Sequence, residues 1–336
     1  MRAVVLGGTG ALGGATALRL ARAGWDVDVT GRDRSRMPVE LSGAGVRFHR
    51  VERSDARGIN RLVGDGADLL VDLVAYTAAD VRSILPAMAS AASSVLASSR
   101  AVYTDGAGRH VNGGEAPRFE GPVREDAPTL PPAGDDTDPF SREGYAPCKV
   151  AAELAALDSG LPVKVIRPSK VHGPWARNAR TQGIIEQMLR GEPVIELVDP
   201  GTVDHLTAAA NAAALIETVA AHPGTRILNA ADPDTPSAAE IVRAIAAQLG
   251  WSGAINPVRN GLNRGHHPWR TAMTLDTAAA RNLGYRPAGN ALDLLAQEVE
   301  WVRTQADLAR AEGVQSGMTQ VVHPIPASER RREASN

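Results

Sequence analysis

This sequence lacks a second cysteine, a long apolar run and an excess of positive charge. These absences argue against disulfides, membrane insertion and nucleic-acid binding. Its single cysteine, Cys148, excludes an intramolecular disulfide. No apolar run approaches the ~18 residues that a membrane-spanning helix needs. A strand pattern begins at Arg2, which leaves no room for a signal peptide. The net charge of −2 gives no basic surface for nucleic acid. We expect a cytoplasmic protein with a small-molecule partner, no nucleic-acid or membrane partner, and no metal site.

Lysine is also scarce, although positive charge is not. Lysine and arginine together number 36, yet the only lysines are Lys149, Lys164 and Lys170. Because the chain uses arginine wherever any positive charge suffices, each lysine needs a specific role. Aromatic residues make up only 4% of the chain. Trp175 and Trp269 are therefore worth following, as either substrate contacts or packing residues.

The first half of the chain alternates short apolar runs with helical patterns. We predict strands at Ala3–Leu6, Val27–Thr30, Val46–His49, Leu69–Val74, Ser94–Ala97 and Val163–Ile166. We predict helices at Leu12–Ala23, Ala56–Val63, Ala78–Ser90 and Tyr145–Leu157. Strands separated by such helices indicate right-handed βαβ units, and continuous apolar strands indicate burial on both faces. The fold class is therefore α/β, with a doubly wound parallel (Rossmann) sheet.

The second half predicts a smaller mixed α/β C-terminal lobe. We place the N-terminal domain at 1–167, an interleaved lobe at 168–312 and a loosely ordered tail at 313–336. Within the lobe, Ser237 and Glu240 have the spacing of a capping box that opens a helix. The long stretch 104–140, rich in Gly, Pro and acids, favours a lid or substrate wall over a passive linker.

Three glycines follow the first predicted strand directly. Gly7, Gly10 and Gly13 have the spacing GxxGxxG before a predicted helix. The first permits a tight turn, the second lets the backbone approach a pyrophosphate, and the third allows close packing of helix and strand. The helix N-terminus offers free N–H groups and its dipole to phosphates. This context predicts a dinucleotide-binding domain at 1–167 rather than a purely structural turn.

The end of the second strand indicates which dinucleotide is bound. NAD-binding proteins usually have a carboxylate there for the ribose 2′-hydroxyl, but this chain has Gly31 followed by Arg32. An arginine pairs with a 2′-phosphate, which an acid would repel. We therefore favour NADP over NAD. The alternative is that Arg32 and Arg34 are solvated and that Asp33 does the acid's work.

Two further features predict acid–base chemistry. Tyr145 and Lys149 lie four residues apart, on one face of a predicted helix. The ammonium, together with the positive charge of an oxidised nicotinamide ring, favours the phenolate and would bring the tyrosine pKa from its ordinary ~10 towards neutrality. Ser99 ends the fifth strand at the sheet edge where ligands bind, and we expect it to align the substrate oxygen with Tyr145. The alternatives are a packed tyrosine with an exposed lysine, and a strand-end cap at Ser99.

Five motifs occur in a recognisable order and spacing, and together they carry a resemblance. They are GGTGALGG (7–14), SSRAVY (98–103), YAPCK (145–149), RPSKVHGP (167–174) and LNAADP (228–233). From residue 1 to about 305 the chain resembles the extended short-chain dehydrogenase/reductases, and more narrowly their NAD-dependent epimerase/dehydratase branch. The resemblance implies a substrate-binding lobe after residue 168 and a possible homodimer through helices such as 78–90 and 145–157.

The resemblance also implies roles for individual residues. Ser99, Tyr145 and Lys149 match the catalytic triad of the family. The residues that match cofactor-binding positions are Gly7, Thr9, Gly10, Ala11, Leu12 and Gly13 in the phosphate loop, Glu52 near the adenine, Leu73 and Ala75 after the fourth strand, Tyr145 and Lys149 at the nicotinamide ribose, and Pro168 and Val171 on the carboxamide side. Together with Arg32 they make up the predicted cofactor site.

Other positions depart from the family pattern. Cys148 stands where a small or hydroxyl residue is common, and buried packing explains it better than redox chemistry. The segment Asp199–Leu206 lacks the arginine that holds phosphates in nucleotide-sugar enzymes of this branch, which argues against a UDP- or dTDP-sugar unless Arg177 or Arg180 replaces it. Lys170 and His172 are candidate substrate contacts, with loop structure as the alternative.

These observations lead to three hypotheses of function. The first is an NAD(P)-dependent oxidoreductase that transfers hydride between the nicotinamide and a substrate carbonyl or hydroxyl, with Tyr145 as the acid–base. The second is an epimerase or dehydratase that acts on a sugar-like substrate with tightly bound cofactor. The third is a non-catalytic relative that senses the dinucleotide or binds RNA. The Ser99, Tyr145 and Lys149 set and the charge of −2 argue against the third, and we favour the first.

Overall fold

The computed structural model describes residues 1–64, 66–177, 179–222, 224–259 and 267–311. Its strands are β1 (Arg2–Leu6), β2 (Asp26–Gly31), β3 (Arg47–Arg50), β4 (Leu69–Asp72), β5 (Ser94–Ala97), β6 (Val163–Pro168), β7 (Lys170–His172), β8 (Val194–Val198), β9 (Leu206–Ala208), β10 (Arg226–Ala230) and β11 (Ala254–Val258). Its α-helices are α1 (Ala11–Arg22), α2 (Val39–Gly43), α3 (Ala56–Val63), α4 (Ala78–Ser83), α5 (Leu85–Ala89), α6 (Tyr145–Leu157), α7 (Gln182–Leu189), α8 (Ala209–Ala220), α9 (Ala238–Leu249), α10 (Ala278–Asn282) and α11 (Ala291–Ala311). Within these residues no helix is both long and apolar enough to cross a membrane.

The main sheet contains seven strands in the order β10–β6–β5–β4–β1–β2–β3. All of its pairings are parallel. The central strands β4 and β5 are buried along their whole length, because apolar side chains from helices pack on both faces of the sheet. This architecture confirms the predicted doubly wound α/β fold. Strand order reverses between β1 and β4, which is where such folds bind their ligands.

The strands β1–β6 match the predicted ones to within two residues at either end. β4 is shorter than predicted, because the chain turns out of the sheet after Asp72. The Asp72 carboxylate accepts hydrogen bonds of 3.0 Å from the backbone N–H groups of Val74 and Ala75. Arg53 forms an ion pair of 2.8 Å with the same carboxylate and fixes this turn.

The prediction of one continuous helix over 78–90 is wrong. The structure divides this stretch into α4 and α5, and Pro86 lies in the first turn of α5. A proline ring clashes with the carbonyl of the residue four positions earlier, so α4 cannot continue through it. α4 begins with a capping box formed by Thr77 and Asp80, which fixes the chain immediately after the β4 turn.

The region after residue 168 is mixed and interleaved with the main sheet. β8 pairs with β11 and β7 with β9, whereas β10 joins the edge of the seven-stranded sheet beside β6. α9 begins with the predicted capping box of Ser237 and Glu240 and ends at Gly250. Trp269 is buried in the apolar core beneath α7 and α9, and is a packing residue. The predicted tail 313–336 lies outside the described residues.

Candidate active site

The chain turns from β1 into α1 through the predicted glycine loop. Gly7 has a φ of +86°, a left-handed conformation that favours glycine. A Cβ at Gly13 would lie 2.2 Å from the backbone oxygen of Gly7, so only glycine lets α1 pack this closely on the turn. Both positions therefore require glycine on the grounds of backbone geometry, as their spacing predicted.

Gly10 lacks a side chain for a different reason. It precedes α1 with φ −100° and ψ 178°, a conformation open to any residue, and a Cβ there would meet no described atom within 4 Å. α1 begins without a hydrogen bond from a capping side chain. The N–H groups of its first turn are therefore available to a ligand. Open space beside an uncapped helix N-terminus fits the pyrophosphate of a dinucleotide.

A cleft of about 790 Å³ runs from this loop along the carboxyl ends of the strands. Ten residues predicted to bind the cofactor line it, namely Gly7, Thr9, Gly10, Ala11, Leu12, Gly13, Arg32, Glu52, Leu73 and Val171. Pro139 and Phe140 also line it, so the 104–140 stretch contributes a wall to the cleft. The other predicted cofactor residues, Ala75, Tyr145, Lys149 and Pro168, are not among its lining residues.

Arginine side chains gather at one end of this cleft. Arg32 and Arg177 both line it, and the Arg177 guanidinium donates a hydrogen bond of 3.1 Å to the Thr9 hydroxyl. Burial, together with the charges of Arg36 and Arg32, lowers the pKa of Arg177. The Arg36 guanidinium also lies 3.6 Å from the Asp33 carboxylate. Arg32 and Arg177 therefore bring two positive charges to the cleft, an arrangement that a bound anion would stabilise.

Side chains crowd the end of β2, where NAD-binding proteins usually have an acid. A Cβ at Gly31 would lie 2.9 Å from the Phe48 ring and 3.2 Å from the Thr9 methyl group, so these side chains would have to shift to admit one. The alternative acid, Asp33, accepts hydrogen bonds from the backbone N–H and the hydroxyl of Ser35. These bonds cap a short 3₁₀ helix at Arg34–Arg36. Its carboxylate is therefore engaged in local structure.

Lys149 is buried rather than exposed. Lys149 is only 4% exposed. Its ammonium donates hydrogen bonds to the carbonyl oxygens of Ala75 at 2.6 Å and Ala97 at 2.9 Å. Burial lowers the pKa of Lys149 to about 8. Ala75 thus contributes its backbone to holding the lysine. One of the three lysines therefore has a specific buried position, as the scarcity of lysine in the chain suggested.

Ser99 lies close enough to Tyr145 to influence its phenol. Burial raises the pKa of Tyr145, and the opposing effects of Ser99 and of the Arg180 charge do not outweigh it. That Lys149 and an oxidised nicotinamide together bring this pKa towards neutrality stays a prediction. Ser99 also caps the 3₁₀ helix Arg100–Val102, accepting a 3.1 Å hydrogen bond from the Ala101 N–H. It is both a cap and a partner of the tyrosine.

Two aromatic residues that the sequence reasoning missed form the boundary between the cleft and the acid–base pair. Tyr76 lines the cleft, and the Lys149 ammonium lies 4.9 Å from its ring centre. The Tyr76 ring is also 6.3 Å from the Tyr145 ring and 5.1 Å from the Phe140 ring. Tyr76 follows β4 at the same sheet edge at which Ser99 follows β5. Its position after a strand at the ligand-binding edge, the signal that predicted Ser99, could therefore have predicted Tyr76.

Both predicted substrate contacts already have partners within the chain. The Lys170 ammonium lies 2.8 Å from the Asp204 carboxylate and also donates to the Pro268 carbonyl. His172 is buried, with Nε2 3.0 Å from the Asp232 carboxylate. It lines a different cavity of about 470 Å³, which shares no lining residue with the cleft of about 790 Å³. Contact of either residue with a substrate stays a prediction.

The side chains of Cys148 and Trp175 pack against neighbouring parts of the chain. The Cys148 thiol is buried and lies 3.7 Å from the carbonyl of Thr137. Burial raises the pKa of Cys148, which keeps the thiol protonated and favours packing over redox chemistry. A Cβ at Gly14 would lie 2.6 Å from the Trp175 ring, so the indole packs directly on the first turns of α1.

The sequence was compared with models of protein families. A model of the NAD-dependent epimerase/dehydratase family matches residues 3–231. The chain belongs to this family. The match begins in β1 and ends just after β10, so it includes the glycine loop, Ser99 and the Tyr145 helix. It confirms the resemblance seen in the motifs and identifies the chain as an enzyme of a family named for its nicotinamide dinucleotide.

Solved structures share the fold over nearly the whole chain. UDP-glucose-4-epimerase from Stenotrophomonas maltophila, with bound NAD and formylated UDP-arabinopyranose, has a TM-score of 0.70 at 18% identity, covering 92% of this chain and 100% of its own. UDP-glucuronic acid 4-epimerase from Bacillus cereus, with UDP-glucuronic acid and NAD, has 0.67 at 18%, covering 91% and 100%. UDP-glucose 4-epimerase from Thermotoga maritima, with UDP-glucose, has 0.67 at 19%, covering 91% and 100%. At these identities the likeness shows the fold alone. No curated protein matches the sequence.

Proposed function

We propose that this enzyme is an NADP(H)-dependent oxidoreductase that transfers hydride between the nicotinamide and a carbonyl or hydroxyl carbon of its substrate. The observation that carries the proposal is the group formed by Ser99, Tyr145 and Lys149 beside a dinucleotide cleft. Ser99 lies close enough to Tyr145 to lower its pKa, and Tyr76 contacts both Tyr145 and the buried ammonium of Lys149. Acid–base residues in such contact are what a carbonyl reduction requires.

The surroundings of Tyr145 support its role as a proton donor. Because burial raises its pKa, the phenol stays protonated at neutral pH and gives its proton to an oxygen that gains negative charge. Ser99 would hold the same oxygen within reach of the phenol. The buried ammonium of Lys149 stabilises the negative charge as it develops. When bound, the nicotinamide supplies the hydride.

The preference for NADP is supported by the arginine end of the cleft. Arg32 and Arg177 line the cleft, and the neighbouring charges of Arg32 and Arg36 lower the pKa of Arg177. A 2′-phosphate would neutralise this repulsion and accept two-point hydrogen bonds. Phe48 and Thr9 pack closely around Gly31, so a competing acid there would require both side chains to shift.

Deuterium labelling tests the reaction. NADPH that carries deuterium at C4 of the nicotinamide is incubated with the enzyme and a panel of aldehydes and ketones, and the products are examined by mass spectrometry. We expect deuterium in a product alcohol, and none in the Tyr145→Phe variant. Unlabelled products across the panel, with no oxidation of NADPH, would contradict the proposal.

A second function, epimerisation or dehydration of a sugar-like substrate, is favoured by the family match. The same residues would then return the hydride to the substrate within one turnover, and the cofactor would stay bound. An enzyme of this kind releases stoichiometric dinucleotide only on denaturation. It also converts a UDP-sugar without net change in nicotinamide absorbance, and this result separates the two functions.

A further inference from the structure

The cavity of about 470 Å³ that His172 lines lies between α1 and α8, and is called here the α1–α8 cavity. Its volume falls within the ~300–1,000 Å³ that is usual for small-molecule sites. Apart from His172, its wall contains none of the residues predicted to bind cofactor or substrate. Apolar side chains make most of this wall, among them Ala15, Leu18, Trp175, Ala210, Ala213 and Leu294.

His172 brings a buried polar group to this wall. It is 2% exposed, and its Nε2 lies 3.0 Å from the Asp232 carboxylate. Burial opposes ionisation of Asp232, but hydrogen bonds from His172, Ala208 and Asn211 outweigh it and lower the pKa of the carboxyl. An ionised carboxylate only accepts, so Nε2 carries the proton and, in the neutral ring, Nδ1 keeps a lone pair. Nδ1 has no hydrogen-bond partner among the described residues.

The other polar side chains of the wall are either paired or exposed. Arg19 and Glu217 form an ion pair of 2.6 Å with each other. Arg22 and Gln297 are exposed to solvent. The cavity therefore combines apolar walls with one buried acceptor, which suits an apolar molecule that carries a single donor group.

The contact of Trp175 with Gly14 lies between this cavity and the dinucleotide cleft. On α1, Gly13 lines the cleft and Ala15 lines the cavity. After β7, Trp175 lines the cavity and Ala176 lines the cleft. The Trp175 ring packs on Gly14, where a Cβ would lie 2.6 Å from the ring. The indole therefore separates the two spaces.

Trp175 also has a strained backbone. Its φ is +65°, a left-handed conformation that bulky residues rarely adopt and that costs free energy. The buried Glu298 carboxylate accepts hydrogen bonds from the Gly173 N–H at 2.7 Å and the Thr181 hydroxyl at 2.6 Å, which fixes the chain on both sides of Trp175. Arg177, two residues after Trp175, lines the cleft. A shift of the indole would therefore act on the wall of the cleft.

We propose that the α1–α8 cavity is a second ligand site, which takes a small apolar molecule with one hydrogen-bond donor and is coupled to the dinucleotide cleft through Trp175. The donor would bond Nδ1 of His172, and the apolar body would pack on the alanines and the indole. An occupied cavity would hold the indole on Gly14 and Arg177 at its 3.1 Å hydrogen bond with Thr9. The dinucleotide would then bind an already ordered wall, so each ligand should strengthen the binding of the other. This goes beyond the proposed reaction and requires only that the cleft binds a dinucleotide.

Two ring compounds of the same shape test the chemistry of the site. Indole has an N–H donor, and benzofuran has a ring oxygen in its place. Calorimetry measures the affinity of each compound for the protein. We expect indole to bind about fivefold more tightly, the difference that one buried hydrogen bond makes. Equal affinities would overturn the proposal, because the buried acceptor would then have no part in binding.

A cavity-filling variant and a reporter signal test the location. Ala210→Leu enlarges a half-buried side chain of the cavity wall and should abolish indole binding. Ala220→Leu, at a half-buried position of α8 outside the wall, is the control and should bind indole like the wild type. In ¹⁵N-tryptophan-labelled protein, indole should shift the side-chain N–H signal of Trp175, assigned by its loss in Trp175→Phe. The signal of Trp251, which donates to the Glu192 carbonyl, should stay in place. Unchanged indole binding by Ala210→Leu would overturn the proposal.

Titration of NADPH and NADH with and without saturating indole tests the coupling. We expect indole to raise the affinity of the preferred dinucleotide roughly fivefold, and the dinucleotide to raise indole affinity by the same factor, as linkage requires. Mutual exclusion would place indole in the cleft and overturn the proposal, as would two affinities that do not respond to each other. Coupled binding without deuterium transfer would remove the proposed redox reaction and leave the second site in place.

Discussion

The candidate site has two ends that differ in what they are made of, one in the cleft and one beside it. At the end proposed for the phosphates, called here the phosphate end, backbone makes the site, since Gly7, Gly10 and Gly13 shape a turn and a helix N-terminus open to solvent. At the acid–base end, side chains make it, and Lys149 is buried behind the ring of Tyr76. An open backbone site binds a ligand with little rearrangement. A site closed by side chains sets the pKa values of its own residues.

The two ends also differ in how strongly their cations are desolvated. Exposed arginines at the phosphate end are screened by water and stabilise the fold little. The Lys149 cation at the other end is desolvated. Two carbonyl oxygens, an aromatic ring and the charges of Asp72, Asp80 and Glu153 compensate it in part. We therefore expect substitutions at the acid–base end to alter catalysis and pH dependence, and substitutions at the phosphate end to alter dinucleotide binding alone.

The largest expected effect is that of Tyr145→Phe. Removal of the phenol hydroxyl takes away the proton donor, so turnover should fall by roughly 10²–10⁴-fold. Dinucleotide affinity should stay unchanged, because Tyr145 does not line the cleft. The matched control is Tyr285→Phe, a buried tyrosine packed against the β10 side of the core. Equal activity of the two variants in a steady-state assay would show that Tyr145 has no part in the chemistry.

Next in size is the pH dependence associated with Lys149. Its pKa is lowered from 10.5 to about 8 in the folded protein, so between these pH values the unfolded chain binds more protons than the folded one. The wild type should therefore gain stability relative to Lys149→Met as pH rises through this window. The change should total about 3 kcal/mol. Urea unfolding at a series of pH values measures it.

Arg190→Met serves as the control for that series, because it removes an exposed cation already paired with Glu192. Its stability difference from the wild type should stay flat across the same pH range. A flat difference for Lys149→Met as well would show that the ammonium is not desolvated.

Gly10→Ala sharpens the comparison at the phosphate end. The backbone conformation and the open space at Gly10 accept a methyl group, so the melting temperature without ligand should not change. The methyl group would occupy the space of the pyrophosphate and weaken dinucleotide binding by roughly tenfold or more. Gly43→Ala, in similarly open space on α2, should leave binding intact. Unchanged affinity in Gly10→Ala, measured by calorimetry, would exclude this loop as the pyrophosphate site.

The smallest expected effect is that of Tyr76→Leu. Loss of the ring admits water to Lys149, which should raise its pKa by less than about one unit. With only three lysines in the chain, ¹³C-lysine NMR follows this titration with little overlap. Phe119→Leu is the aromatic control, because Phe119 packs in a different apolar cluster. A pKa of Lys149 that moves equally in both variants would remove Tyr76 as the boundary of the site.

Sequence reasoning performed differently at the two ends, and for a physical reason. The strands, the glycine loop and the absence of an acid at Gly31 are set by local patterns and backbone geometry, which a single sequence displays. The contacts of Tyr76 with Lys149 and Tyr145 depend on packing between elements distant in sequence. The hydrogen bonds that Glu298 accepts from Gly173 and Thr181 join residues more than a hundred positions apart. Burial, which decided the pKa of Tyr145, also exists only in the folded chain.

The most direct test of this account is the identity and exchange of the cofactor. The purified enzyme is denatured, the released dinucleotide is identified, and NADPH and NADH are titrated onto emptied wild type, Arg32→Gln and the control Arg34→Gln. We predict exchangeable binding that prefers NADPH by on the order of tenfold, with the preference lost in Arg32→Gln and kept in Arg34→Gln. Stoichiometric, slowly exchanging NAD, or equal affinity for NADH in the wild type, would contradict the proposed NADP(H)-dependent oxidoreductase.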